Sequence, residues 1–385
     1  MLSMPRSLFI FLVSLFCLSC QSDKEKGASA LSQPADADTI AVGYDLAEIA
    51  EAGELIAVTL SGPDTYFEFR GKGFGLQYDL AEDFARSIGV RLRMEVAHDT
   101  AELVDRLLKH EADLIAMELP KQKGATRLNN HWLVDKDATE LAIAINEWYS
   151  PELLERYRAQ RAAPVKVRRQ ARPVMLDAGR GQISRYDALF QQHAATIGWD
   201  WRLLAAQCYQ ESAFDPEAVS WAGAQGLMQI MPGTATHLGV AATDIFDPEV
   251  NIEAGVRYLH ELNQTFSDIR PQSARIPYVL AAYNGGAGHI RDAMALARKD
   301  GKDDRVWREV EPYILLLSQP RYYNDPVVKS GYLRGNETHD YVQSIMDRWA
   351  QYRGEVRSFS NASTPRPSKH SKNKIQIIRP DSLDL

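Results

Sequence analysis

A basic, proline-containing stretch at 159–181 divides the chain into two parts, in which apolar residues recur at different spacings. Upstream, short apolar runs alternate with helical patterns, whereas the downstream pattern is one of helices with short breaks. Such a charged stretch packs poorly and is typical of a linker. Its residues include Arg161, Pro164, Lys166, Arg168, Arg169, Arg172, Pro173 and Arg180. The chain has 385 residues, enough for two ordinary domains, so we expect one on each side of the linker.

The upstream part, 41–158, alternates predicted strands and helices. Their order is strand 54–60, helix 75–89, strand 90–96, helix 100–109 and strand 113–117, followed by strand 141–145 and helix 151–158. This alternation indicates a parallel sheet with crossover helices. The downstream part, 182–352, is predicted to be mainly helical, with helices at 182–197, 200–212, 251–262, 276–281 and 337–351. The predicted fold class is therefore α+β multidomain: an α/β lobe followed by a mainly α domain.

One carboxylate, Glu211, ends an apolar helical run. The run places Trp201, Leu204, Ala205 and Cys208 at i, i+3, i+4 and i+7, the buried stripe of a helix. Glu211 follows three residues after Cys208, on roughly the same face. A desolvated carboxylate keeps its proton to higher pH, which is how a protein makes a general acid. The alternative is a helix-end Glu that turns out to water.

Four motifs stand in order along the downstream part. They are Glu211-Ser212, the run 220–232 (SWAGAQGLMQIMP), the run 281–286 (AAYNGG) and the run 337–342 (ETHDYV). Together they resemble the catalytic domain of the soluble lytic transglycosylase family. That resemblance implies a lysozyme-like helical fold that cuts the glycan of the bacterial cell wall.

The resemblance implies a reaction with a single carboxylate. Glu211 would protonate the bond between N-acetylmuramic acid and N-acetylglucosamine, and would then take the proton of the muramic C6 hydroxyl, which closes a 1,6-anhydro ring. Hydrolases normally add a second carboxylate. The nearest acidic residues in sequence, Asp215 and Glu217, lie at a predicted turn and are poorly placed for that role.

The same resemblance implies roles for other residues of the motifs. Ser220 would hydrogen-bond the N-acetyl region of the sugar, and Met228 and Gln229 would line the cleft, with Met228 against a sugar face. Tyr283 and Asn284 would lie on an opposite loop. Glu337 and Tyr341 share a helix face and would support the site. Neither a metal nor a cofactor is expected, because His237, His289 and His339 lack ligand spacing and are predicted to lie on the surface.

The upstream part carries a second resemblance. The runs Gly75 to Ala81 and Ala112 to Ile115 resemble the first lobe of periplasmic solute-binding proteins. The stretch from Met117 to Trp132 is too short for that family's second lobe, so we expect a single lobe that does not bind amino acids. A structural, docking or regulatory role is expected, including contacts to wall-synthesis proteins. A lobe of this kind ahead of the catalytic domain resembles the membrane-bound lytic transglycosylases of type F.

The chain ends indicate export. Arg6 and the apolar run 8–16 precede Cys20, which resembles a lipoprotein signal at 1–19 with lipidation of Cys20; an ordinary secretory signal is the alternative. Residues 20–40 would form a tether to a membrane, and 353–385 a disordered tail. Gln21 in place of Asp favours the outer membrane. The formal net charge of −7 gives no reason to expect a nucleic-acid partner.

Two rival functions stay open at this point. One is a lysozyme-type hydrolase on the same fold, and the other is a catalytically silent wall-binding or sensor lipoprotein. Several aromatic residues could stack on sugars or pack in the core, namely Trp199, Trp201, Trp221, Tyr322 and Tyr323. Cys208 is expected to be a small buried core residue rather than a nucleophile.

Overall fold

The computed structural model describes residues 45–162, 175–177, 179 and 181–354. The predicted signal segment, Cys20, the tether, most of the linker and nearly all of the tail lie outside the described residues. The lobe and the helical domain belong to one compact unit. Within the described residues, no helix is long and apolar enough to cross a bilayer.

The lobe is built on one five-stranded sheet and one separate hairpin. Its elements are α1 (Leu46–Ala52), β1 (Glu54–Leu60), β2 (Phe67–Phe69), β3 (Lys72–Phe74), α2 (Leu76–Ser87), β4 (Arg91–Ala97), α3 (Thr100–Leu108), β5 (Leu114–Ile115), β6 (Ala125–Arg127), β7 (Leu133–Asp135), α4 (Thr139–Trp148) and α5 (Pro151–Ala162). The sheet order is β4-β1-β5-β7-β6, and β2 pairs with β3 alone. Strands β4, β1 and β5 are parallel, as predicted, whereas β7 pairs antiparallel with both β5 and β6.

The interior strand β1 is apolar on both faces because the sheet is covered on both sides. Leu55, Ala57 and Val58 are fully buried. Leu55 and Ala57 belong to one apolar cluster that includes Phe84 of α2, whereas Val58 belongs to another that includes Leu103 of α3. This is the arrangement expected of crossover helices on a parallel sheet.

One predicted strand is wrong, and one hairpin was not predicted. Residues 141–145 lie in helix α4, where Leu141 and Ile145 are buried one turn apart while Ile143 is exposed. A spacing of four residues satisfies both the strand period and the helix period, so the apolar pattern alone was ambiguous. Strands β2 and β3 form a hairpin that projects from the lobe, and the two-residue turn Arg70-Gly71 joins them.

The downstream domain is helical, as predicted. Its helices are α6 (Asp187–Thr196), α7 (Trp201–Ser212), α8 (Pro232–His237), α9 (Pro248–Thr265), α10 (Gln272–Gly285), α11 (Ala287–Lys299), α12 (Trp307–Leu316), α13 (Pro320–Tyr323) and α14 (Gly335–Tyr352). Asp200 begins α7 by accepting a hydrogen bond from the Arg202 amide, and Asp247 caps α9 ahead of Pro248. The first helix begins later than predicted, because the Asp187 carboxylate binds the amides of Ile183 and Ser184 ahead of it.

Two glycines offer a matched test of this packing. A Cβ on Gly335 would lie 2.0 Å from the carbonyl oxygen of Ile314, whereas a Cβ on Gly233 in α8 would meet nothing within 4 Å. We expect Gly335→Ala to lower the free energy of unfolding by about 1–3 kcal/mol through overpacking. Gly233→Ala should raise it by roughly 0.5–1 kcal/mol through helix propensity. Urea unfolding followed by circular dichroism checks both, and a shift of the same sign in both variants would contradict this packing.

Candidate active site

Glu211 lies in the last turn of α7, and its side chain is only 3% exposed. The helix ends immediately afterwards, since Ala213 adopts a left-handed conformation with φ of 51°. Leu203 to Cys208 of the same helix are all buried. The structure therefore buries the carboxylate at the helix end and does not turn it out to water.

Two side chains bind the Glu211 carboxylate directly. The Tyr341 hydroxyl, from α14, donates to Oε1 at 2.6 Å. The Arg70 guanidinium, from the β2–β3 turn, donates through Nη2 to Oε1 at 3.1 Å and to Oε2 at 2.9 Å. Gln207 Nε2 donates to the Tyr341 hydroxyl at 3.2 Å, which orients that hydroxyl toward Glu211.

Burial raises the pKa of Glu211 above its ordinary value, although Arg70 and the Tyr341 hydrogen bond act in the opposite direction. Burial also lowers the pKa of Arg70, but the Glu211 carboxylate offsets this, and the pKa of Arg70 is held above its usual range. The acid thus keeps its proton to higher pH than an exposed Glu.

A loop between α7 and α8 forms the floor of the site, and Asn251 of α9 holds it. Asn251 accepts from the Met228 amide at 2.7 Å and donates to the carbonyl oxygens of Gln225 at 3.1 Å and Ile245 at 2.7 Å. Gly226 has a φ of 76°, and a Cβ there would lie 2.3 Å from Asn251 Nδ2. The buried Asn251 amide therefore occupies the space that a side chain at position 226 would need, so this position requires glycine.

The structure shows how this loop holds three of the predicted site residues. Met228 is fully buried in the core, where it packs against Gly255, so its side chain presents no surface to a sugar in this state. Gln229 turns its amide inward, donating to the carbonyl oxygens of Ala218 at 3.0 Å and Gly226 at 2.9 Å. Ser220 Oγ accepts from the Ala224 amide at 3.0 Å and closes the loop on itself.

Tyr283 and Asn284 lie in the last turn of α10, not on a loop as predicted. The Tyr283 hydroxyl donates to the Met228 carbonyl oxygen at 2.8 Å, and Glu211 is close enough to raise the pKa of Tyr283, after burial as the larger cause. Asn284 is buried and accepts from Thr338 of α14 at 2.8 Å. Tyr283 thus contacts the cleft floor, whereas Asn284 joins two helices behind it.

Glu337 lies one turn before Tyr341 on α14. Its side chain is 42% exposed and pairs with Arg334 at 3.9 Å. The charge of Glu337 raises the pKa of Glu211. This effect is smaller than the increase caused by burial and the decreases caused by Arg70 and Tyr341. Of the other predictions, Cys208 is a buried core residue, as expected, whereas His289 is 4% exposed and therefore not a surface residue.

A cavity of about 560 Å³ adjoins Arg70. The hairpin contributes Arg70, Gly71 and Lys72 to it, and the helical domain contributes Ala222, Gly223, Met231, Pro232, Gly233, Thr234, His237, Tyr258 and Glu261. Sequence reasoning missed Arg70, Asn251 and Tyr258. Only Arg70 carried a local signal, since Arg-Gly interrupts an alternating aromatic run, Tyr66 to Phe74.

Comparison with known proteins finds one family model and several relatives that are similar to this chain. Residues 188–306 match the family model described as the transglycosylase SLT domain. The chain is 42% identical over 165 residues to the membrane-bound lytic murein transglycosylase F of Desulfosudis oleivorans, covering 43% of this chain and 36% of that protein. It is 25% identical to the Aeromonas hydrophila protein of the same name, covering 78% of this chain and 82% of that one. The chain thus spans about a third of the Desulfosudis relative's length.

Two solved structures are each similar to less than half of the chain. The 70 kDa soluble lytic transglycosylase of Escherichia coli is 29% identical, covers 44% of this chain and 24% of its own, and has a TM-score of 0.33. The arginine-bound form of domain 1 from TmArgBP is 23% identical, covers 28% of this chain and 97% of its own, and has a TM-score of 0.24. The match to the transglycosylase SLT domain model thus falls in the helical domain, and the α/β lobe precedes it in the chain.

Proposed function

We propose that this protein is a peptidoglycan lytic transglycosylase that cleaves the β-1,4 bond between N-acetylmuramic acid and N-acetylglucosamine without water. The observation that carries the proposal is the Glu211 carboxyl, buried at the base of a cleft with a raised pKa and held by Tyr341. It lies in the domain that matches the SLT family model. Cell-wall remodelling or turnover is the role that this activity serves.

Glu211 acts first as an acid. Its proton passes to the glycosidic oxygen, the bond from that oxygen to the muramic C1 breaks, and positive charge develops at C1. The raised pKa supports this step, because it keeps a larger fraction of Glu211 protonated near neutral pH.

Glu211 then acts as a base. Its carboxylate takes the proton of the muramic C6 hydroxyl, and the C6 oxygen bonds to C1, which closes the 1,6-anhydro ring and restores the acid. Tyr341 donates a hydrogen bond to Oε1 and so stabilises the carboxylate between the two steps. The proton count balances with one carboxylate and no water.

The rival hydrolase would need a second carboxylate to activate water or trap C1. Glu337 is the acid whose charge most affects Glu211, yet its side chain is 42% exposed and pairs with Arg334. Asp215 accepts a hydrogen bond from the Glu217 amide at 3.3 Å in the turn after α7, as its sequence context predicted. These placements favour the transglycosylase over the hydrolase.

We infer an envelope location from the sequence ends. Cys20 would carry lipid, and Gln21 after it favours the outer membrane. A lipid-anchored enzyme facing the periplasm has its substrate, the glycan strands, within reach. Mass spectrometry of the mature N-terminus tests this, and an unmodified chain cut elsewhere would contradict it.

Glu211→Gln should lower the release of anhydro-muropeptides from purified sacculi by roughly 10²–10⁴-fold, the usual contribution of a general acid. The matched control is Glu337→Gln, which removes a charge from the same cleft and should keep activity within about tenfold. Mass analysis of the sugar ends reads out both variants. Reducing muramic acid in place of the anhydro form would overturn the lyase assignment, and unchanged digestion by Glu211→Gln would overturn the acid.

Tyr341→Phe should move the alkaline limb of the pH dependence of kcat to higher pH. The Tyr341 hydrogen bond lowers the pKa of Glu211, so its loss raises that pKa and keeps the acid protonated further up the pH scale. Tyr283→Phe is the control, because its hydroxyl binds the Met228 carbonyl oxygen instead of Glu211. A limb that stays in place or moves to lower pH in Tyr341→Phe would contradict this role.

A further inference from the structure

One amide side chain, that of Gln207, is buried within the apolar part of α7. Gln207 lies one helical turn before Glu211 on the same face of the helix, and it is fully buried. The other residues from 203 to 208 are all buried and apolar. A methionine would fill nearly the same space without a polar group that needs a partner. Packing alone therefore does not require an amide at this position.

The Gln207 amide contacts Tyr341 of α14, because α7 and α14 lie antiparallel. Near the start of α7, Asp200 accepts a hydrogen bond from Nε1 of Trp349, in the last part of α14, at 3.0 Å. Near the end of α7, the Tyr341 hydroxyl lies 3.2 Å from Gln207 Nε2 and 2.6 Å from Glu211 Oε1. Contacts at both ends of the helix pair thus hold the amide against the hydroxyl.

The single proton of the Tyr341 hydroxyl fixes the direction of these hydrogen bonds. The hydroxyl donates that proton to Glu211, so towards Gln207 its oxygen can only accept, and the amide nitrogen is the donor. Burial, and after it the charge of Glu211, raises the pKa of Tyr341 well above its ordinary value. The hydroxyl therefore keeps its proton while Glu211 titrates. Gln207 donates to Tyr341, and Tyr341 donates to Glu211.

The other end of the Gln207 amide is unfavourable for the fold. Its Oε1 is buried and finds no hydrogen-bond partner among the described residues. A buried oxygen without a donor loses its hydration and receives nothing in exchange, and such groups are rare in folded proteins. The contact that the same amide makes through Nε2 with Tyr341 gives a functional reason for its presence.

Several titratable groups face the Glu211 carboxylate. They are Arg70 of the β2–β3 turn, Cys208 of α7, Tyr283 of α10, and Glu337 and Tyr341 of α14. Burial and Glu337 favour the protonated acid, whereas Arg70 and Tyr341 favour the carboxylate. The uncharged amide of Gln207 acts on this balance through the Tyr341 hydroxyl, because a hydroxyl that accepts one hydrogen bond becomes a stronger donor in the next.

We propose that Gln207 is a positioning residue of the reaction, which holds the Tyr341 hydroxyl on Glu211 and so balances the acid step against the base step. This rests on the proposed transglycosylase function. A single carboxylate that gives a proton in one step and takes one in the next needs an intermediate affinity for it. Burial alone favours the acid step, and the hydrogen bonds from Gln207 through Tyr341 support the base step.

Gln207→Met tests the proposal, because it keeps the side-chain volume and removes the donor to Tyr341. The weaker hydrogen bond to the carboxylate should raise the pKa of Glu211 and move the alkaline limb of the pH dependence of kcat to higher pH. At the wild-type pH optimum, kcat should fall by roughly 3–30-fold, less than on loss of the acid itself. KM for sacculi should not change, since the buried amide does not reach the glycan. A limb that stays in place, or a change in KM alone, would overturn the proposal.

Gln343→Met is the matched control, the same change on α14. Its Nε2 donates to Glu311 at 2.6 Å and not to Tyr341, so this variant should keep the wild-type kcat and pH dependence. A double variant, Gln207→Met with Tyr341→Phe, should have its limb where Tyr341→Phe alone places it, because Gln207 acts through the hydroxyl. A further shift in the double variant, or the same shift in Gln343→Met, would contradict this route.

Thermal melting followed by circular dichroism separates positioning from a structural role. Gln207→Met removes a buried oxygen that has no donor, so the variant should melt at the wild-type temperature or above it. A lower melting temperature would show that the amide serves the fold, which overturns the proposal.

Nuclear magnetic resonance of the full chain, with ¹³C at the glutamate δ-carboxyl carbons, needs no turnover. The Glu211 signal is identified by its absence in Glu211→Gln, and it should titrate at higher pH in Gln207→Met than in the wild type. Titration at the same pH in both proteins would overturn the proposal. If the titration moves as expected while neither protein digests sacculi, the transglycosylase function fails and the action of Gln207 on Glu211 stands.

Discussion

The ion pair between Arg70 and Glu211 is the interaction on which the arrangement of this molecule depends. It joins a turn of the lobe to the end of a buried helix, and both charges lie largely out of water. Removing one partner would leave the other buried and unpaired, which is far more costly than the pair itself. The pair therefore links the position of the lobe to the protonation of the acid, since Arg70 lowers the pKa that burial raises.

The cleft beneath this pair is held by buried polar groups. Asn251 satisfies three backbone groups of the neighbouring loops, and Gln229 satisfies two more with its side-chain amide. Each group would be costly to bury without a partner, so the loop is rigid where it meets Glu211. Gln229, which is predicted to line the cleft, holds the backbone of this loop through its side-chain amide.

Prediction from the sequence succeeded where the spacing of apolar residues matched only one type of secondary structure. The stripe that ends at Glu211 predicted helix α7 and a buried carboxylate, and β1 and β4 followed from apolar and alternating runs. It failed for residues 141–145, because Leu141 and Ile145 suit a strand and a helix equally. It also missed the hairpin, whose strands are only three residues each and lie outside the main sheet.

The sequence by itself determined the α+β class, the buried position of Glu211 and the motifs around it, since each depends on neighbours within a few turns of the same chain. Only the tertiary structure decided what faces that acid. Arg70 and Glu211 lie 141 positions apart, and no period or motif connects residues at that distance. The two residues meet because the lobe packs against the helical domain. Such packing depends on complementary surfaces, which the spacing of residues along the sequence does not predict.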